Sequence, residues 1–134
     1  MINQIEVIKE YGDIPVVLCY PGEINQVFMH LLANGAQSIQ DTGVITIRTF
    51  TDPNYVKVQI QDTGVGIPSE HLKTLFEPSF TKQGERVKAG LGLFTCYHII
   101  EKHHGNITVS SEVEKGTTVT VSLPKDMVLL LDEM

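Results

Sequence analysis

Asp62 closes an alternating run, Val56-Lys57-Val58-Gln59-Ile60, and is followed by Thr63-Gly64-Val65-Gly66-Ile67-Pro68. An ionised carboxylate only accepts hydrogen bonds, so at a strand end it suits an amine donor better than a phosphate. The two glycines after it permit positive φ and carry no Cβ to hold a planar ring away. Three other stretches offer complementary chemistry. Gln26, His30 and Asn34 recur four residues apart, with Gln37 beside the end of that row. A solvent face usually carries Lys, Glu and Arg; amides and an imidazole suit a polar pocket wall. Gly90-Leu91-Gly92-Leu93 opens a helical run, and the unpaired N–H groups of a helix start form a ready anion site. Between them, Lys82-Gln83-Gly84-Glu85-Arg86-Val87-Lys88-Ala89 has no apolar period and three basic residues against one acidic. Taken singly, each feature also has a plain reading: an ordinary turn, an exposed polar face, a packing glycine, a solvated loop.

The elements that must position these residues are read from apolar spacing. Ile24, Val27, Phe28, Leu31 and Leu32 recur at helical spacing, which predicts an amphipathic helix from Ile24 to Ile39 that carries the polar row on another face. Pro21 suits its first turn and Asp41-Thr42-Gly43 stops it. Val44–Phe50 and Tyr55–Ile60 predict a β-hairpin joined through Asp52-Pro53-Asn54. Residues 2–9 and Val16-Val17-Leu18-Cys19, separated by Tyr11-Gly12-Asp13-Ile14-Pro15, predict a strand pair. Ser69 is expected to cap a short helix through Leu75. Leu93, Phe94, Tyr97, Ile99 and Ile100 predict a second long helix from Leu91 to about His103, ended by Gly105. Asn106–Ser110 and Thr117–Leu123 predict a closing hairpin across Glu114-Lys115-Gly116, and Met127–Leu131 is a short apolar tail.

Length and composition bound the function. The 134 residues suit one domain with a genuine core, and 42% hydrophobic against 19% charged content is that of a globular chain. A net charge of −6 argues against general nucleic-acid or anionic-membrane binding. There is no charged-then-apolar leader and no apolar run of membrane-spanning length, so the expected location is cytoplasmic, with no membrane contact by this stretch. Cys19 and Cys96 lie far apart without metal-ligand spacing, and two buried, reduced thiols are expected. His103 and His104 are expected to be exposed or stabilised by the helix end rather than to bind metal.

Together the pieces suggest a nucleotide pocket. Neither the phosphate-binding pattern Gly-x4-Gly-Lys-Ser/Thr nor the Gly-x-Gly-x-x-Gly fingerprint of dinucleotide folds is in place. The chain instead resembles the catalytic ATP-binding domain of sensor histidine kinases, within the gyrase, chaperone, histidine kinase and mismatch-repair superfamily. Gln26-Val27-Phe28-Met29-His30-Leu31-Leu32-Ala33-Asn34 resembles the N box and Asp62–Pro68 the first glycine box. Leu75-Phe76-Glu77-Pro78-Ser79-Phe80-Thr81 resembles the F box, Gly90–Leu93 the second glycine box, and Gly116-Thr117-Thr118 the late glycine-threonine motif. Five weak matches, in order and at sensible spacing, make a specific signal.

The resemblance implies an α/β two-layer sandwich of the Bergerat type over residues 1–134: a mixed, mainly antiparallel sheet covered on one face by helices. It implies a lid at about 80–89 and a tail at 125–134. Asp62 would bind the adenine amino group, helped by a water that Thr117 also contacts. Gly64, Gly66 and Ile67 would border the base, and Asn34, with Gln37 near it, would face ATP and hold Mg²⁺. Gly90, Leu91, Gly92 and Leu93 would cradle the phosphates, with Phe80, Lys82, Arg86 and Lys88 on the lid. The implied partners are a dimerisation and histidine-phosphotransfer domain and a downstream response regulator, within a longer soluble or membrane-anchored kinase. No acceptor helix of that kind is found in these residues, so ATP binding is expected without self-phosphorylation. Two positions depart from the pattern: His30 stands where the N box usually has Asn, and Gly35 where Ala usually follows the metal-binding Asn. The hydrolytic relatives place a general-base Glu where His30 stands, so His30 is the one candidate catalytic group. An ATP hydrolase of the same superfamily and a non-catalytic nucleotide-sensing module are the alternative readings.

Overall fold

The computed structural model describes residues 4–77 and 93–125. Five strands, β1 (Gln4–Tyr11), β2 (Thr42–Thr51), β3 (Tyr55–Asp62), β4 (Asn106–Glu112) and β5 (Gly116–Pro124), form one sheet in the order β1-β2-β3-β5-β4. β1 runs parallel to β2 and every other pair is antiparallel. The helices α1 (Pro21–Ser38), α2 (Ser69–Leu72) and α3 (Leu93–Lys102) complete the described elements. The sheet is thus mixed and mainly antiparallel, with helices on one face, as the motifs implied.

Alternation along the strands decides which face is covered. Ile45, Ile60, Val119, Val121 and Leu123 point inward and meet Ile24, Val27 and Leu31 of α1 and Leu93, Cys96 and Ile100 of α3. The other face carries Thr46, Arg48, Gln59, Gln61 and Thr120. Arg48 joins β1 to β3 there, through Glu10 at 2.7 Å and Gln61 at 2.6 Å. Polar groups that satisfy one another leave that face without need of a covering layer.

The two long helices are fastened end to end. Tyr20 caps α1 in an extended conformation and Pro21 takes the first helical position, where its missing N–H costs nothing. The Tyr20 N–H donates to Nε2 of His103 at 3.2 Å, and Nδ1 of His103 lies 2.8 Å from the Ile99 carbonyl oxygen. Because Nε2 must accept, the proton sits on Nδ1 and the ring is neutral. Lys102 adds an ion pair to Glu23 at 2.9 Å and sits 4.7 Å above the Tyr20 ring.

Four expectations need correction. Val16–Cys19 forms no strand; β1 pairs with β2 instead. The run lies between Pro15 and Pro21, which cannot donate to a ladder, and Val17 and Cys19 serve the core as coil. Ser69 does not cap α2: Pro68 does, accepting from His71 N–H at 2.9 Å and Leu72 N–H at 3.2 Å, and the helix ends at Leu72. Cys19, expected to be buried, is half-buried, whereas His103, 4% exposed, takes the helix-end alternative by bonding the Ile99 carbonyl. The left-handed residue after α3 is His104 (φ 57), not Gly105. His104 N–H bonds to the Glu101 carbonyl and Gly105 N–H to that of Ile100, both at 2.9 Å. Of the two cysteines, both free, Cys96 is buried and Cys19 is half-buried. Burial pushes the Cys96 thiol up to about 11, so it is chemically quiet. The start of α3 expected at Leu91, the lid at 80–89 and the tail at 127–131 lie outside the described residues.

α1 holds two glycines, Gly22 in its first turn and Gly35 near its C-terminal end. A Cβ at Gly35 would meet Cδ1 of Ile45 at 3.4 Å and Cβ of Asp62 at 3.5 Å, which are ordinary contacts. Gly35→Ala should therefore stabilise the domain by about 1 kcal/mol through helix propensity and raise the melting temperature by a few degrees. A lower melting temperature would show that the helix needs closer approach to β3 than those distances indicate.

Candidate functional site

α1, the loop after β3 and the ends of β3 and β5 enclose a cavity of about 660 Å³. That volume lies in the range of small-molecule sites. Its lining includes the apolar Leu31, Leu75, Leu93, Ile60 and Val119 and the polar Asn34, Gln37, Ser38, Asp62, His71 and Thr117.

Asp62 lines this cavity and is 7% exposed. It is the last residue of β3, opposite Ile45 on one side and Thr117 on the other. Burial raises its carboxyl above the ordinary carboxylate value. Hydrogen bonds from the Gly64 N–H, the Ser38 hydroxyl and the Thr117 N–H pull the other way. The Gly64 contact is 2.8 Å to Oδ1. Ser38 also lies 2.8 Å from the Gly35 carbonyl oxygen and has one proton for the two acceptors.

The loop between β3 and α2 is held from both sides. Val65 N–H donates to the Ser38 carbonyl at 3.1 Å, which ties it to the end of α1. Val65 C=O accepts from Glu114 N–H at 2.7 Å, and Ile67 N–H donates to Ser111 Oγ at 2.8 Å, which ties it to the β4–β5 hairpin. Gly66 has φ 76, and a side chain there would run into the Glu112 carbonyl. Gly116 has φ 123, and a side chain there would run into the Asp62 carbonyl. Both positions require glycine for conformation and for space. The hairpin can approach Asp62 for that reason.

The expected residues divide as follows. Asn34, Gln37, Asp62, Gly66, Ile67, Leu93 and Thr117 come together around the cavity. Gly64 does not line it; it stands behind, packed on Ser38 and bonded to Asp62. Neither Gln26 nor His30 lines it, so the polar row faces the cavity at Asn34 alone. Phe80, Lys82, Arg86, Lys88, Gly90, Leu91 and Gly92 lie outside the described residues. Sequence reasoning missed Ser38 and Ser111. Ser38 sits four residues beyond Asn34, and Ser111 follows from the hairpin register, which sets it opposite Thr117.

For a metal the donor set is sparse. Among the described residues no group of three His, Cys, Asp or Glu side chains could hold an ion alone. The amide oxygen of Asn34 fits Mg²⁺ as a single protein ligand, since this ion keeps waters and takes its other oxygens from phosphates.

Comparison with known proteins decides the family. The model of the family described as histidine kinase-, DNA gyrase B- and HSP90-like ATPase matches residues 20–127. The chain belongs to that family. Sporulation kinase E of Bacillus subtilis is 40% identical over 114 residues, covering 84% of this chain and 15% of that protein. Sensor histidine kinase ZraS of Escherichia coli K12 is 36% identical over 111 residues, 83% of this chain and 23% of that protein. The chain therefore spans less than a quarter of the length of these relatives. The catalytic domain of histidine kinase ThkA superimposes with a TM-score of 0.77 at 27% identity, over 90% of this chain and 78% of that one. Within its family, then, the chain is a catalytic ATP-binding domain of the sensor histidine kinase kind.

The buried carboxylate gives the first test of the site. Hydrogen bonds to a charged group contribute about 1.5–3 kcal/mol, so Asp62→Asn should weaken ATP binding about 10–100-fold. Its stability should not fall. An acid whose value is raised by folding costs stability at neutral pH, and that cost is relieved as pH falls through the raised value. The uncharged variant is expected to melt at or above the wild-type temperature. Unchanged ATP affinity in calorimetry would remove Asp62 from base recognition; weakened binding with a melting point several degrees lower would make its role structural.

Proposed function

We propose that this domain binds Mg-ATP and delivers its γ-phosphoryl group to a histidine on a separate dimerisation and phosphoacceptor domain, as a step in two-component signalling. The observation that carries the proposal is the buried Asp62 carboxylate lining a cavity that Asn34 lines as well. A buried acceptor selects an N–H donor, and the 6-amino group of adenine is such a donor. The apolar walls, Leu31, Ile60, Val119 and Leu93, would take the ring faces, with Gly66 and Ile67 along its border.

The remaining roles follow from chemistry. Asn34 would hold Mg²⁺, which when bound neutralises phosphate charge. Gly90, Leu91, Gly92, Lys82, Arg86 and Lys88 are proposed for the phosphates and Phe80 for the lid, on sequence alone. Positioning and electrostatic stabilisation dominate phosphoryl transfer, so an ATP site of this type needs an acceptor brought to it. The solved structure of histidine kinase ThkA in complex with the response regulator TrrA is similar over 92% of this chain, with a TM-score of 0.75 at 28% identity. A response regulator is the corresponding downstream partner here. A cytoplasmic location accords with the need for ATP. Among the described residues no helix is long and apolar enough to cross a membrane. A hydrolytic role would need a base at the cavity; His30, the expected candidate, does not line it, while the His71 imidazole does.

Two measurements test this reading. With ATP, Mg²⁺ and a separately prepared phosphoacceptor domain, phosphohistidine should form on that domain; phosphate release without it would favour the hydrolase. Asn34→Ala should cut the Mg²⁺-dependent part of ATP affinity by about tenfold, the scale of losing a group that supports a metal site. Calorimetry with and without Mg²⁺ reads this directly, and an unchanged Mg²⁺ dependence would remove Asn34 as the ligand.

A further inference from the structure

Ser111 is a hydroxyl with three polar partners. It accepts from Ile67 N–H at 2.8 Å, donates to the Gly116 carbonyl oxygen at 2.9 Å, and lies 2.7 Å from Thr117 Oγ1. A serine hydroxyl has one proton and two lone pairs. The Ile67 amide can only donate and the Gly116 carbonyl can only accept, so these two contacts use the proton and one lone pair. What is left for Thr117 is the second lone pair, which makes Thr117 the donor in that contact. Thr117 then has no proton for the cavity, which it lines and which Ser111 does not. Its cross-strand neighbour is Asp62, also an acceptor.

We propose that Ser111 is a positioning residue for base selection. By taking the Thr117 proton it turns Thr117 into an acceptor, so this end of the cavity presents acceptors from Thr117 and Asp62 together. Such a floor favours a 6-amino group, whose two N–H bonds can serve both acceptors, over a 6-oxo group, which offers only lone pairs there and leaves the single N1–H as a donor. The same hydroxyl pins Ile67, so one side chain sets both the loop's position and the floor's polarity. The inference rests on the adenine reading given above.

The test compares ATP with its 6-oxo analogue ITP by calorimetry on the intact chain. The wild type should prefer ATP. Ser111→Ala frees the Thr117 hydroxyl to donate into the cavity, and the ATP-to-ITP affinity ratio should fall about tenfold, the scale of one redirected hydrogen bond. Ser111→Thr keeps the hydroxyl and should restore the ratio. A merely structural role for Ser111 would weaken both nucleotides together and leave the ratio intact, which would overturn the inference. If the alanine variant does not fold, Ser111→Cys, similar in shape and a weak acceptor, carries the same expectation. A wild type that binds ATP and ITP equally overturns the adenine reading and this inference with it. A discriminating wild type whose ratio survives both substitutions overturns the inference alone.

Discussion

A carboxylate cannot be kept charged beneath an apolar cavity unless the surrounding backbone supplies donors. Asp62 sets that requirement, and much of the described architecture answers it. Gly64 N–H comes from the loop that Asp62 itself begins, Ser38 from the last turn of α1, and Thr117 N–H from the first residues of β5. Each belongs to a different element, so the polar surroundings of the carboxylate are complete only when loop, helix and hairpin have docked. Gly35 and Gly116 are the contact points where helix and hairpin come within reach of it. A buried polar group of this sort specifies the arrangement around it more than it stabilises the fold, since burial still holds its carboxyl above the ordinary value.

The same logic explains why α1 is anchored at both ends. At its start, His103 accepts the Tyr20 N–H and Lys102 pairs with Glu23. At its end, the Ser38 carbonyl accepts Val65 N–H while the Ser38 side chain serves Asp62. The exposed ion pair contributes little by itself; the neutral histidine, buried with both ring nitrogens engaged, fixes the approach of α3 to α1. Asn34 and Gln37 therefore ride on a helix whose axial position is set by contacts at both termini, which is what a pocket wall requires.

Much of this could be read in the chain beforehand, and what could not was non-local. The spacing of Ile24, Val27, Leu31 and Leu32 marked α1 because helical periodicity is a property of neighbours. The alternation of Val119, Val121 and Leu123 marked β5 for the same reason. The partner of β1 was not legible: parallel pairing with β2 depends on a crossover through α1, and the apolar run Val16–Cys19 looked like a nearer mate. For His103 both exposure and a helix-end role were open, because its burial depends on Tyr20, far away in sequence. In the site, Asp62, Asn34 and Thr117 stood out by residue type and motif. Gln26 and His30 share their row but not their outlook, since a helix face turns gradually and the cavity meets it at Asn34. Ser38 and Ser111 were invisible because a serine acquires meaning from what its hydroxyl touches, not from its spacing.

On the proposed reading, the two ends of the nucleotide are recognised by different physics. The base end is chosen by directional hydrogen bonds in a half-apolar cavity, where one misplaced proton costs affinity and where every group is tied to the sheet. The phosphate end is assigned to a stretch of opposite charge balance from the rest of the chain, between Phe80 and Gly92, where attraction is long-ranged and tolerant of geometry. Selectivity and charge capture can then vary independently. Asp62, Thr117 and Ser111 would decide which nucleotide enters, while the chemistry awaits an acceptor from another domain. The loop after β3 is in this sense the least adjustable part of the site: Gly64 N–H holds the carboxylate, while Val65 and Ile67 are bonded to the end of α1 and to the β4–β5 hairpin.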